Sequence, residues 1–238
     1  GIHSDGQINI TGGEIVNAKG GTGANTGNGK GCNGIYSAKK LTIGTATIGN
    51  AQGGNGKSYS GAGVFSGSGL EISGKAFIKN AKGGDSSMRG GDGIHSTGIL
   101  TIKDDAKIEK AQGGTGKSGG SGIYGNGDID ISQSARINNA TGGDSTDGTG
   151  NGGDGIHSDG KFAISKSTSG DAHPNTIGTA QGGNGKSGGK GIFGKTVEIA
   201  VGIINQAKGG NSTGTSGDAT GGAGISASDS LAISGNGW

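Results

Sequence analysis

Proline, cysteine and aromatic side chains are nearly missing from this chain of 238 residues, which has 1 proline (Pro174), 1 cysteine (Cys32) and 3% aromatics. A single cysteine excludes an internal disulfide and a thiolate metal cluster. A single proline, with glycine not strictly at every third residue, excludes collagen. No apolar run approaches the ~18 residues of a membrane-spanning helix. A formal net charge of +2 leaves no electrostatic case for nucleic acid or an anionic membrane, so neither is an expected partner. Hydrophobic residues (27%) and charged residues (16%) are both scarce, which argues against a conventional core. No signal peptide or initiating Met is visible, so the chain reads as a fragment or a processed product. What the sequence has in excess is glycine, 62 residues of it. That composition suits a disordered chain unless the spacing is regular.

The spacing is regular. Gly-Ile (once Gly-Val) recurs at Gly1, Gly34, Gly63, Gly93, Gly122, Gly155, Gly191 and Gly224, at intervals of 29 to 36 residues. An apolar-x-Ile pair follows each time: Ile8/Ile10, Leu41/Ile43, Leu70/Ile72, Leu100/Ile102, Ile129/Ile131, Phe162/Ile164, Val197/Ile199 and Leu231/Ile233. An Ile-x-x-Ala unit comes next, from Ile15/Ala18 and Ile48/Ala51 through to Ile204/Ala207, and then Gly-Gly and a glycine-rich arc. Self-similarity at such a period is the signature of a repeat architecture.

The apolar-x-Ile pair has the period of two of a strand. No single repeat could bury its few apolar residues alone. Stacked coils would bury them against the same positions above and below, ~4.8 Å away. The expectation is an all-β fold: one parallel β-helix (solenoid) of about eight coils of ~30 residues across 1–238. The residue before the ladder alanine (Asn17, Asn50, Asn80, Lys110, Asn139, Thr179, Gln206) is expected to form a hydrogen-bonded corner column. The residue after Gly-Gly (Thr22, Asn55, Asp85, Thr115, Asp144, Asn184, Asn211) is expected to close a local Asx- or Thr-type turn.

Glycine costs ~0.5–1 kcal/mol relative to alanine in a regular element, so its abundance needs a reason. In the two cleanest arcs glycines step by three, at 113, 116, 119, 122 and 125 and again at 182, 185, 188, 191 and 194. That step matches a polyproline-II-like extended chain, which turns once every three residues. One wall of stacked glycine arcs is therefore expected, backbone against backbone; irregular glycine loops are the alternative. Between Ile164 and Ile177 a longer stretch containing His173 and Pro174 reads as a surface excursion.

Convergent catalytic groups are hard to find. There are two arginines (Arg89, Arg136), and no HExxH, GxSxG, P-loop or CxxC pattern. The chain is read as non-enzymatic. Asp5, Asp92, Asp154 and Asp159 flank Gly-Ile-His-Ser segments, as in GGDGIHS and GGDGIHSDG. Gly/Asp loops of this kind aim carboxylates and carbonyls at a hard cation, which makes Asp154 and Asp159 a candidate calcium site and calcium the one cofactor to consider. Solvated turn aspartates are the alternative.

The position after the Gly-Ile isoleucine reads His3, Tyr36, Phe65, His95, Tyr124, His157, Phe193 and Ser226. If isoleucine points inward, alternation sends this neighbour outward. A ladder of rings would result, suited to sugars or another repetitive surface, or simply stacking on itself at ~0.5–1.5 kcal/mol per pair. Its histidines are two or three rungs apart, ~10–15 Å, and would titrate independently in physiological salt.

Units such as GIHSDGQINITGGEI (1–15), GIHSTGILTI (93–102) and GIHSDGKFAI (155–164) resemble the Gly-rich right-handed β-helix repeats of bacterial surface proteins, among them a calcium-associated, cellulose- or carbohydrate-binding β-helix family. The resemblance covers nearly the whole chain. It implies a right-handed β-helix without lyase activity, on an extracellular or cell surface, with polysaccharide or a surface glycan as partner. The long arcs depart from that pattern and look more like glycine-rich antifreeze proteins and phage receptor-binding tips. Ice binding and a purely structural stalk or receptor-binding fibre are therefore the other expected functions. Neither end carries an evident polar cap, so further coils, a capping domain or an identical chain are expected beyond residues 1 and 238.

Overall fold

Three short strands and one arc repeat along the chain in the order the apolar pattern dictates. The computed structural model describes residues 1–24, 29–165, 174–214 and 219–234, and residues 166–173 of the excursion, His173 among them, lie outside these. The first leg of each coil is the Ile-x-Ser strand: Ile2–Ser4, Ile35–Ser37, Val64–Ser66, Ile94–Ser96 and Ile123–Gly125. The second leg is the apolar-x-Ile strand, from Ile8–Ile10 to Ile129–Ile131. In the last three coils the two legs fuse into Ile156–Ile164, Ile192–Ile199 and Ile225–Ile233. The third leg carries Ile-x-x-Ala, from Glu14–Lys19 to Ile203–Lys208. First and second legs make a 13-stranded sheet and third legs an 8-stranded sheet. All strand pairings are parallel, giving a β-solenoid of about seven turns, with eight rungs in the first leg and seven in the third.

Like residues lie on like residues. Ile48 is paired to Ile15 and Ile78, Ile108 to Ile78 and Ile137, and Ala111 to Ala81 and Ala140. These ladders fill the interior, and nearly all of the inner rungs are 0% exposed. A thin core works because each isoleucine is covered above and below by its copies, so few apolar atoms suffice to exclude water. Two further inner columns were not predicted. Ala46, Ala76, Ala106 and Ala135 are buried two residues before the ladder isoleucine, with the amide of Asn175 taking that place in the next coil. There Asn175 accepts from the Ala135 N–H (3.1 Å) and donates to the Ser165 carbonyl (2.8 Å). Ser37, Ser66, Ser96 and Ser158 are also fully buried, each donating its hydroxyl to carbonyls at the corner between first and second legs.

Corner chemistry divides. Asn50 donates to Asn17 (2.8 Å) and Asn80 to Asn50 (2.7 Å), as an amide column should, until Lys110 interrupts it. The residues after Gly-Gly do something other than the expected local turn. Asn55 accepts from the N–H of Asp85, Asp85 from Thr115, Asp144 from Asn184 and Asn184 from Asn211, at 2.6–2.9 Å. The side-chain oxygen is spent between coils because the stacked neighbour presents an N–H at the right height, whereas a local turn would compete with that ladder.

The arcs run out and back, and their backbones touch. In the coil beginning at Gly113, the N–H groups of Gly113, Gly116, Gly119 and Gly122 donate to the carbonyls of Thr141, Asp144, Asn151 and Asp154 of the next arc (2.9–3.4 Å). A second series climbs the wall by alternating limbs: Gly84 donates to Gly61, Gly91 to Gly84, Gly114 to Gly91 and Gly120 to Gly114, at 2.8–2.9 Å. A Cβ on Gly114 would sit on the Gly84 carbonyl, 2.6 Å from its carbon. Glycine is required here by close approach.

Candidate functional site

The ring column stands where strand alternation puts it, on the outside of the first leg. His3, Tyr36, Phe65, His95, Tyr124, His157 and Phe193 follow one another with centroids 4.5–5.3 Å apart. The first two pairs are nearly parallel (16° and 9°) and the others tilted by 31–46°. Each inner ring is therefore covered on both faces by its neighbours, and what it offers outward is an edge. Ring edges carry the phenol hydroxyls and imidazole nitrogens, so the column presents polar groups on an apolar stack.

The column forms one wall of a groove. The opposite wall is the returning limb of the glycine arcs, which passes beside the first leg before entering it. Three concavities lie in line between these walls: about 370 Å³ at His3 and Tyr36, about 200 Å³ at Phe65 and His95, and about 480 Å³ at Tyr124 and His157. Arg89 lines both of the latter two, its guanidinium 5.8 Å from the centre of the Tyr124 ring. Lys190 reaches over Phe193 at 5.2 Å. Both contacts are cation–π geometry.

At Asn33, Asp92 and Asp154 the side chain just before Gly-Ile lines the groove and fastens one coil to the next. Asp92 accepts from the Ser121 N–H (2.7 Å) and bonds His95 Nδ1 (2.7 Å). Asp154 accepts from the Lys190 N–H (2.5 Å) and bonds His157 Nδ1 (2.5 Å). The Asp-x-x-His spacing of 92–95 and 154–157 brings carboxylate and ring to the same side across the tight entry into the strand. The repeated DGIH, visible in the sequence, was the signal for this pairing.

His157 also bonds Asp159 through Nε2 (2.9 Å), so the ring lies between two carboxylates. Asp159 in turn accepts from the Tyr124 hydroxyl (2.7 Å) and the Asn126 amide (3.2 Å). Burial works against a charged His157, but the Asp154 and Asp159 carboxylates outweigh it and raise its pKa above the ordinary 6.5. For Asp159, burial pushes upward and is outweighed by the Tyr124, His157 and Asn126 donors, so its pKa falls below 3.8. Burial, followed by the Asp159 carboxylate, pushes Tyr124 up to about 12.

A pH dependence follows. A raised histidine contributes stability in full below its unfolded pKa near 6.5 and loses it as pH rises through the folded value. The Asp159 contribution is complete above 3.8 and lost as pH falls through its depressed folded value. Melting temperature should therefore decline as pH is raised from about 6 to 9, and His157→Gln should flatten that decline. An unchanged slope in the variant would count against the clamp.

The expected calcium pair does not fit a cation in this arrangement. All four oxygens of Asp154 and Asp159 already face protein donors, and the two carboxylates are separated by the His157 ring. Among the described residues no group of three or more His, Cys, Asp or Glu converges as a metal site. Sequence reasoning named the seven rings and Asp154 and Asp159 but missed Arg89, Lys190 and Asn126, which enter from other coils or another limb. No family model, curated protein or solved structure matches this chain.

Proposed function

We propose that the chain is a non-enzymatic solenoid of an extracellular or cell surface that binds an extended polysaccharide along the ring-lined groove. One observation carries this reading: the groove has the same two walls from His3 to His157, rung after rung. A translationally repeated groove suits a polymer with a repeated unit better than a compact molecule. Because ring faces are occupied by one another, recognition falls to ring edges and neighbouring polar groups. The hydroxyl of Tyr36 and the serines of the opposite wall supply donors and acceptors for sugar hydroxyls. Polyproline-II-like arcs would give that wall a fixed shape, in keeping with donation by every third N–H.

A non-enzymatic role is supported by the way Asp154, His157, Asp159 and Tyr124 satisfy one another, which leaves none of them aimed at a substrate. Membership of the surface β-helix proteins that the repeats resemble would accord with this reading. The passive stalk is the second reading, favoured by the self-stacking of the rings. For ice binding, the outward column of the second leg runs Thr42, Glu71, Thr101, Asp130, which interrupts threonine with charge.

A polysaccharide panel, assayed by pulldown, tests the proposal. At least one extended polysaccharide should be retained by the wild type and bound roughly tenfold less well by the Tyr36→Ala/Tyr124→Ala variant, about 1.4 kcal/mol. A variant that stays folded and binds undiminished would remove the ring column from recognition; retention of nothing would leave the stalk.

A further inference from the structure

The charges that line the groove are not equally available. Its carboxylates are committed: Asp92 and Asp154 are 5% and 7% exposed, and each holds a histidine ring and the N–H of the next coil. Asp159 lies nearer the surface, yet it accepts from His157, Tyr124 and Asn126 together. His157 is spent between two of these carboxylates. The two long cations are placed differently. Arg89, exposed on the returning limb, and Lys190, half-buried, bring their charged ends to 5.8 and 5.2 Å from the centres of the Tyr124 and Phe193 rings, and neither is ion-paired with a carboxylate among the described residues. A neighbouring ring orients a cation without neutralising it, so its N–H donors remain available.

We infer that the groove is selective for acidic polysaccharides, with Arg89 and Lys190 as the residues that engage the polymer's carboxylates. This deepens the proposed function and rests on it. The guanidinium of Arg89 can meet a carboxylate with two parallel N–H donors, whereas Lys190 acts as a point charge. Arg89 lines two adjacent concavities, so a polymer lying along the groove must pass it. The committed aspartates set a limit as well: their donors hold them in place and lessen their repulsion of a polyanion.

The test compares three polymers on the intact chain: polygalacturonate, its fully methyl-esterified form and a neutral β-glucan. Polygalacturonate should bind at least tenfold more tightly than the other two, and the difference should shrink with added salt. Arg89→Gln/Lys190→Gln should abolish that preference, while Lys39→Gln/Lys79→Gln, the same loss of charge at exposed sites elsewhere, should keep it. Arg89→Lys should retain part of the affinity. Equal binding of the neutral glucan, or undiminished polygalacturonate binding by the Arg89/Lys190 variant with a wild-type melt, would overturn the charge assignment and leave the groove standing. Binding of none of the three by wild type would overturn both.

Discussion

Gly114→Ala is expected to cost at least about 3 kcal/mol, whereas Gly21→Ala, in the same column three coils away, is expected to cost about 0.5 kcal/mol or less. Both residues are the second glycine of a Gly-Gly pair that opens an arc. At Gly114 it would meet the carbonyl of Gly84, at 2.6 Å from the carbon and closer still to the oxygen. At Gly21 nothing lies within 4 Å. Relief by movement is blocked at Gly114, because its N–H is held by the Gly91 carbonyl (2.8 Å) and its own carbonyl by Gly120 (2.9 Å). Shifting the arc would give up ladder bonds worth about 1 kcal/mol each on top of the overpacking strain. At Gly21 the alanine even restricts the unfolded chain, which favours folding. Urea melts of the two variants would show the contrast. Equal losses would mean that the arcs are looser than a backbone-to-backbone wall.

Ile108→Ala should lose about 2–5 kcal/mol, the sum of lost transfer energy and a cavity that a rigid ladder cannot close. Ile108 is fully buried and paired to Ile78 below and Ile137 above. Its neighbours are pinned by backbone pairing at the interstrand spacing, so collapse into the void would stretch two ladders at once. Ile15→Ala, at a position where isoleucine is only partly buried, should cost less than half as much. Because each coil touches only its neighbours, the Ile108 defect should also divide the melt into two transitions. Equal destabilisation by the two substitutions, or a single unshifted transition, would contradict a core built from vertical columns.

Much of the fold was legible before any coordinates. The four apolar registers pair as their spacing required: Ile35 on Val64, Leu70 on Leu100, Ile72 on Ile102 and Ala81 on Ala111. The rings, too, stand together, since alternation after a buried isoleucine leaves them one side only. Less legible were the columns whose residues have another everyday explanation. Alanine at 46, 76, 106 and 135 passes for a turn residue, and a serine two after isoleucine passes for a surface one. Both are buried because they sit at corners, where a large side chain would not fit. The post-Gly-Gly column reads as local turns in a lone sequence, which shows the neighbour along the chain and not the one stacked above.

The groove could not be read at all. Its two walls come from segments whose contacts depend on how the arc folds back beside the first leg, and Arg89 reaches Tyr124 across a whole coil. The chain's order of residues determined its periodicity, its inward and outward faces and its need for glycine, because these follow from side-chain size and a period of two. Only the closed turn decided what each outward residue would face. It turned ring faces toward one another, committed Asp154 and Asp159 to His157, and left Arg89 and Lys190 beside rings with no ion-paired carboxylate among the described residues. Distances across a coil are set by three corners and an arc at once, and no local rule of sequence contains them.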